Sequence, residues 1–304
     1  MPKVSIVCIT YNQEQYIAQA IESFLMQKTN FDVEIIISDD CSTDSTPQII
    51  EEYAKKNPNI KPILREKNIG AVNNYIETLA LATGEYVIVN EGDDYFSDEN
   101  KLQKQVEFLD ANPDYTICFH PVLRYFENDT KRNDIFPTED MKRRISEFTF
   151  DNLLRENFMQ TNSVMYRWNA VKNIAKVFPR DILPGDWYLH LLFAKEGKIK
   201  CLEEVMSVYR IHDKGIWYLA KKQYSNHLIK HCFELLNFYI AINKHIEKNS
   251  IHSKLKVLNF YGELLKILKS NGDIKKYFSF LFKNFKIFVE FNLLKIIILL
   301  KTTL

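Results

Sequence analysis

An α/β fold, with a mainly parallel central sheet flanked by helices, is predicted by three features of the N-terminal third of the chain. Short β-branched runs alternate with stretches of helical spacing. The runs are continuously apolar, as in strands covered on both faces. Polar clusters recur where those runs end, at TYNQE, SDDCSTD and NEGDD.

Val4 to Ile9 reads as the first strand, and Ile17, Ala20, Ile21, Phe24 and Leu25 then fall on one helical face. Val33 to Ile37 is again too short for a helix, and it leads through SDDCSTDSTP into a helical stretch carrying Ile49, Ile50 and Tyr53. Lys61 to Leu64 gives a third strand, Val72 to Ala82 a third helix and Tyr86 to Val89 a fourth strand. After Asp98 the pattern loosens: Leu102 to Leu109 reads as helix, Tyr115 to Phe119 as strand and Phe126 to Arg144 as a polar loop. From Lys214 onward lysines outnumber acids, proline is absent and helical spacing dominates, which sets a domain boundary near Asp213.

The 304 residues are 46% apolar, enough for a substantial core. A net charge of +1 gives no basic field of the kind that binds nucleic acid. The five cysteines, Cys8, Cys41, Cys118, Cys201 and Cys232, lie far apart and form no C-x-x-C pair, which argues against disulfides and zinc and for a reducing compartment. The N-terminus enters a strand-like run without a secretory h-region, so a cytoplasmic location is expected.

Ligands of open α/β sheets bind beyond the carboxyl ends of the strands, where the three polar clusters stand. Each alone could be a set of turn and cap residues. Asp40, following a buried strand, can accept a hydrogen bond from a nucleobase N–H or a ribose hydroxyl, whereas Asp44 suits the start of the next helix. The adjacent carboxylates of VNEGDDYF, Val89 to Phe96, repel, and a cleft tolerates them only with a cation or a donor-rich ligand. Mg²⁺ or Mn²⁺ takes one or two such carboxylates and completes its shell with water and phosphate oxygens. The alternative is an exposed acidic turn capped by Ser97-Asp98-Glu99.

At these residues the chain resembles the inverting family 2 glycosyltransferases of GT-A fold. The resemblance rests on VSIVCITYN (Val4 to Asn12), IIISDDCSTDST (Ile35 to Thr46), NIGAVNN (Asn68 to Asn74) and TGEYVIVNEGDD (Thr83 to Asp94), and extends more loosely to LPGDW (Leu183 to Trp187) and YRIH (Tyr209 to His212). It implies a GT-A domain over 1–213, with a nucleotide-sugar half to about residue 98 and an acceptor half to 213, followed by a helical segment over 214–304. Thr10 and Tyr11 would line the base pocket, with Asn12 and Glu14 beside them, and Asp40 would accept from the base. Asp93 would face the ribose and donor sugar, and Asp94 would bind Mn²⁺ or Mg²⁺. His212 could touch the diphosphate or join the metal shell. Asn68 and Gly70 could bring backbone close to phosphate, or simply start a helix. The family's Glu-Asp pair, whose Asp is the general base, reads Gly185-Asp186 here, which makes Asp186 the candidate base and Asp181 the fallback.

The resemblance further implies a UDP-sugar as donor and a glycan or lipid-linked molecule as acceptor, in surface polysaccharide synthesis of bacterial type. Processive synthases carry Gln-x-x-Arg-Trp; here Val164 precedes Arg167-Trp168, so transfer of a single sugar is expected. Two other classes remain: a sugar nucleotidyltransferase, which would want a Gly-rich phosphate loop near the N-terminus, and a non-catalytic nucleotide-sugar or glycan-binding scaffold, which would lack the metal carboxylate or the base. Finally, Phe278 to Leu300 is interrupted by Lys283, Lys286, Glu290 and Lys295. It makes a poor transmembrane span but leaves an apolar arc of Phe282, Phe285, Phe288 and Val289. That arc fits peripheral contact with the inner membrane face, or packing on the enzyme's own body or a second subunit.

Overall fold

The computed structural model describes residues 1–145, 147–171, 173–215, 224–247, 251–272, 274–287, 289–290 and 292. The chain divides into two compact units, Met1–Arg180 with Leu189–His212, and Asp181–Tyr188 with Asp213–Leu304. The short stretch 181–188 goes with the C-terminal part of the chain rather than with the residues around it.

Among the described residues of the first unit, eleven strands form two sheets. They are β1 (Val4–Thr10), β2 (Val33–Asp39), β3 (Ile60–Leu64), β4 (Tyr86–Glu91), β5 (Tyr95–Phe96), β6 (Tyr115–Phe119), β7 (Val122–Phe126), β8 (Asp134–Phe136), β9 (Met165–Arg167), β10 (Lys198–Cys201) and β11 (Ser207–Ile211). The larger sheet runs β10-β6-β9-β4-β1-β2-β3. Its pairs are parallel except for β9, which lies antiparallel between β4 and β6. The mixed α/β class with a mainly parallel sheet is therefore the observed one.

The apolar runs form the core for the expected reason. Val4, Ile6, Val7 and Cys8 of β1 and Ile35, Ile36 and Ile37 of β2 are all buried, so both faces of these strands are covered by helices. The helix Ile17–Leu25 turns Ile17, Ala20, Ile21 and Phe24 inward. The helix Thr46–Lys56 carries Pro in its first turn, where no intrahelical N–H partner is lost. The helix Ala71–Leu79 begins after Gly70 at φ +85°, a conformation that favours glycine. One buried carboxylate ties three segments together: Glu34 on β2 accepts from Ser5 on β1, from Lys61 on β3, and from the amide and hydroxyl of Thr83.

The stretch Phe126 to Arg144, expected as a polar loop, holds the end of β7, all of β8 and most of a helix, Glu139–Ile145. Three residues of strand carry too little apolar alternation to stand out, and β8 is an edge strand whose central Ile135 is exposed between half-buried Asp134 and Phe136. Arg167 on β9 is a structural residue: its guanidinium donates to the carbonyls of Leu109, Asn112 and Tyr115. All five cysteines are free thiols.

In the second unit the helices Tyr224–Lys230, Cys232–Ala241, Ile251–Ser270 and Ile274–Lys283 pack around Leu228, Cys232, Leu236, Tyr261, Leu264, Leu268 and Phe280. Phe280 stacks on Tyr261 with ring centroids 5.4 Å apart. Of the expected apolar arc, Phe282, Phe285 and Val289 are exposed; Phe288 and residues 293–304 lie outside the described residues. Among the described residues no helix is long and apolar enough to cross a membrane.

Candidate functional site

Strands β1, β2 and β4 end level with one another. Thr10 pairs with Asp39 and Ile9 with Glu91, and the register continues past the strand ends, where the Asp40 amide donates to the Thr10 carbonyl (3.0 Å) and the Gly92 amide to that of Ile9 (3.0 Å). Gly92 is needed for this approach, since a β-carbon there would lie 2.5 Å from Gln13 Oε1 and 2.9 Å from Thr10 Cβ. Three polar loops therefore meet at one sheet edge, the carboxyl edge at which parallel sheets bind ligands.

The acidic loop is built from within. Asn90, fully buried, donates to the carbonyl of Asp94 (3.0 Å), and the Asp94 amide closes a turn onto the Glu91 carbonyl (3.0 Å). This turn gathers Glu91, Asp93 and Asp94, whose carboxylate oxygens come within 4.8 Å of one another. Each of the two aspartates has one oxygen held by protein and one left over. Asp94 Oδ1 accepts from the Arg210 amide (2.8 Å), and Asp93 Oδ2 faces His212 Nε2 (3.0 Å). Asp94 Oδ2 and Asp93 Oδ1 are buried without a hydrogen-bond partner.

Burial first, and then the charges of Asp93 and Glu91, push the Asp94 carboxyl well above the usual carboxylate range, against a smaller opposing pull from Arg210. Like charges held together out of water are stable when a cation joins them. Three carboxylates with two buried, unpartnered oxygens fit a hard divalent ion that takes oxygen ligands and keeps sites for water and phosphate. Glu91, Asp93 and Asp94 would hold such an ion.

The two loops beside it are stitched together by the residues expected at the base pocket. The Asn12 amide donates to Ser42 Oγ (2.8 Å) while Asn12 Oδ1 accepts from the Thr43 amide (2.8 Å). Glu14 Oε2 accepts from the Ser45 amide (3.0 Å), and the Glu14 amide donates to Asp44 Oδ2 (3.1 Å). Asp44 Oδ1 also accepts from the Thr46 amide (3.0 Å), one residue ahead of the N-cap Ser45, at the helix start expected of it. Thr10 is buried with its hydroxyl on Gln13 Oε1 (2.7 Å), whereas the Tyr11 ring is 47% exposed and presents an open aromatic face. Asp40 is buried, and its two oxygens accept from the amides of Ile69 (2.8 Å) and Gly70 (2.9 Å). Asn68 Oδ1 accepts from the Gly70 amide as well (3.0 Å). Asp40 therefore clamps the Asn68–Gly70 turn against the β2 loop, and each of its oxygens keeps a second lone pair.

Residues 5–171 match the family described as Glycosyl transferase family 2. The chain belongs to that family. Among its relatives is an uncharacterized protein of Mycobacterium tuberculosis, 48% identical over 218 residues that cover 71% of this chain and 61% of that one. Another is the putative teichuronic acid biosynthesis glycosyltransferase TuaG of Bacillus subtilis, 29% identical over 73% of this chain and 85% of that protein. This chain thus spans about three-fifths of the length of the mycobacterial relative. Solved structures share the fold: TarS 1–349 of S. aureus in complex with UDP-GlcNAc (TM-score 0.55, 20% identity, 87% of this chain and 81% of that one). The mannosyltransferase PcManGT of Pyrobaculum calidifontis, in complex with GDP-Man and Mn²⁺, is a second (TM-score 0.57, 18% identity, 90% and 77%).

In this family 2 chain the remaining expected residues lie in the second unit. Asp186 stands in the first turn of the helix Gly185–Ala194. Around it the LPGDW stretch is anchored on the helix Cys232–Ala241: the Leu183 amide donates to the Glu234 carbonyl (3.2 Å), and the Trp187 ring meets Phe238 at 5.1 Å. Asp181, the fallback base, accepts from the Asn237 side-chain amide (2.8 Å), an anchoring role.

Two residues that the structure brings to this acidic group are absent from the expected set. Glu91 joins the acidic group from inside the same NEGDD run, where its position at the end of a strand was the available signal. Arg210 reaches both aspartates from YRIH, and nothing in the sequence marks that meeting, because it depends on β11 pairing with β5.

Proposed function

We propose that this protein is an inverting, metal-dependent glycosyltransferase that moves one sugar from a nucleoside-diphosphate donor, a UDP-sugar in the first instance, to a hydroxyl of a glycan or lipid-linked acceptor. The observation that carries the reading is the pair of buried, unpartnered oxygens on Asp93 and Asp94 beside Glu91. TarS with UDP-GlcNAc, PcManGT with GDP-Man and Mn²⁺, and TuaG's putative place in teichuronic acid synthesis support the donor, the metal and the polysaccharide setting.

Glu91, Asp93 and Asp94 would hold the ion, Mn²⁺ or Mg²⁺, which when bound would supply positive charge at the diphosphate. Tyr11 offers its exposed face to the base, Asp40 accepts from the base through its remaining lone pairs, and the Asn68–Gly70 turn lies near the phosphates. Asp186 is the general base: it takes the acceptor hydroxyl's proton as the acceptor oxygen bonds to the anomeric carbon. The bond from that carbon to the phosphate oxygen breaks on the opposite face, and the nucleoside diphosphate leaves with the electron pair.

The test is a donor screen that detects release of UDP, GDP or dTDP against candidate glycan and lipid-linked acceptors, with and without Mn²⁺. Diphosphate release that needs both acceptor and metal is expected. Donor binding without release would favour the scaffold reading, and pyrophosphate chemistry would favour a nucleotidyltransferase.

A second surface favours cytoplasmic work at the inner membrane face. Phe278, Phe282, Phe285 and Val289 are 48%, 68%, 55% and 40% exposed. Phe278 and Phe282 share one face of the helix Ile274–Lys283, and Phe285 and Val289 follow at spacings of three and four, with the exposed Lys275 and Lys286 nearby in the sequence. Aromatic rings with flanking lysines suit shallow insertion at an anionic bilayer surface, where a lipid-linked acceptor would be presented.

A further inference from the structure

We propose that Arg210 is a positioning residue that holds Asp93 and Asp94 in ligating orientation before any cation arrives; this inference rests on the metal-dependent reading above. Three neighbouring carboxylates repel, and nothing in their own chemistry keeps two oxygens buried and turned to one place. Arg210 reaches both aspartates from a separate strand. Its main-chain amide, which any residue at this position would supply, donates to Asp94 Oδ1 (2.8 Å), and its side-chain Nε, which only the arginine supplies, ties down the acidic loop by donating to the main-chain carbonyl of Asp93 (2.9 Å). The strand pairing explains the reach. Val208 of β11 lies opposite Tyr95 of β5, which directly follows Asp94, so continuing β11 by two residues brings Arg210 to the acidic loop.

The guanidinium is itself confined. It lies 4.8 Å from the ring centroid of Tyr16, 5.4 Å from that of Tyr95 and 5.9 Å from that of Tyr125. Arg210 Nη2 donates to Gln19 Oε1 (2.5 Å), and Nη1 pairs with Glu127 Oε1 at 3.8 Å. Glu127 is held in turn by the Tyr16 hydroxyl (2.9 Å). The side chain is only 9% exposed. An arginine meant for a substrate phosphate presents its fork to open space; this one lies over aromatic rings and directs its donors to Asp93, Gln19 and Glu127 at once, a spread of donors that a lysine cannot imitate.

The test turns on a sign. Were Arg210 only a neutralising charge, removing it would strengthen the pull of three carboxylates on a cation. Positioning predicts the reverse. Mn²⁺ binding to the full chain is measured by the loss of the free-ion electron paramagnetic resonance signal, for the unaltered protein, Arg210→Met and Arg210→Lys. Expected is binding weakened by about tenfold or more in Arg210→Met, the range for residues that orient metal ligands, and weakened also in Arg210→Lys despite the retained charge. The metal concentration for half-maximal turnover should rise in parallel, with kcat recovering at saturating Mn²⁺.

Unchanged or tighter Mn²⁺ binding in a folded Arg210→Met protein would overturn the proposal. If that variant fails to fold, Gln19→Ala decides: Gln19 is exposed on its helix, so weaker binding supports the proposal and unchanged binding overturns it. Absence of Mn²⁺ binding by the unaltered protein would instead remove the metal reading itself, and this inference with it.

Discussion

Asp93 Oδ2 and His212 Nε2 stand 3.0 Å apart, and the other Asp93 oxygen is buried without a partner. The histidine, expected either at the diphosphate or in the metal shell, thus meets the acidic group through a carboxylate. A hydrogen bond of this kind fixes which oxygen of an aspartate is spent and which remains for a ligand.

Asp94→Asn should uncouple stability from activity. A raised carboxyl pKa in the folded state means that folding favours the protonated form, so stability is lost as pH rises from the ordinary carboxylate range toward the raised value. A neutral amide avoids that cost. The metal-free variant should be more stable than the parent at neutral pH, on the order of 1 kcal/mol, while the Mn²⁺-induced rise in Tm and metal-dependent turnover disappear. Thermal unfolding with and without Mn²⁺ measures both.

Asp186→Asn should lower kcat by roughly 10²- to 10⁴-fold, the usual worth of a general base, with donor affinity kept. Isothermal titration with the nucleoside diphosphate beside a turnover assay separates the two. Full transfer by the variant would move the base elsewhere.

Asp40→Asn replaces one of two acceptor oxygens with an NH₂ facing a backbone amide. A lost hydrogen bond plus an unsatisfied buried donor costs about 1–3 kcal/mol. The Asn68–Gly70 turn should loosen, so donor KM should rise while kcat changes little. Hydrogen exchange of the Ile69 and Gly70 amides reports the loosening directly.

Glu34 should shape the acid limb of stability. Burial works against its charge, but Lys61, Ser5 and Thr83 more than offset this and hold its pKa at about 2, against 4.5 for a free side chain. The folded value is the lower one, so the contribution is fully present above about 4.5 and is lost as pH falls from there toward about 2. Denaturant midpoints for the parent and Glu34→Gln should therefore converge across that window and stay apart above it.

Phe282→Glu and Phe285→Glu should each reduce co-sedimentation with vesicles containing anionic lipid by about tenfold, the effect of removing one buried aromatic from the interface, with turnover on a water-soluble acceptor retained. Unchanged sedimentation would leave these exposed side chains for a protein partner.

The strands and helices of the first hundred or so residues could be read from the sequence because strands buried on both faces print as unbroken apolar runs, Val4 to Ile9 and Val33 to Ile37 among them. β8 and β9 could not, each being three residues long. At the site, Asp93 and Asp94 were visible as neighbouring like charges. Asn12 and Glu14 read equally as ligand or loop residues, because asparagine and glutamate at a strand end accept the same hydrogen bonds from either; in the structure their side-chain oxygens accept from the amides of Thr43 and Ser45. Arg210 stayed hidden since pairing between β5 and β11 joins residues more than a hundred positions apart.

The interlocking of Asn12 with Ser42 and Thr43, and of Glu14 with Asp44 and Ser45, bears on engineering. A chimaera that imports only one of these two loops from a relative would inherit half of a lattice. Swaps intended to change nucleotide preference must carry 10–15 and 39–46 as one cassette.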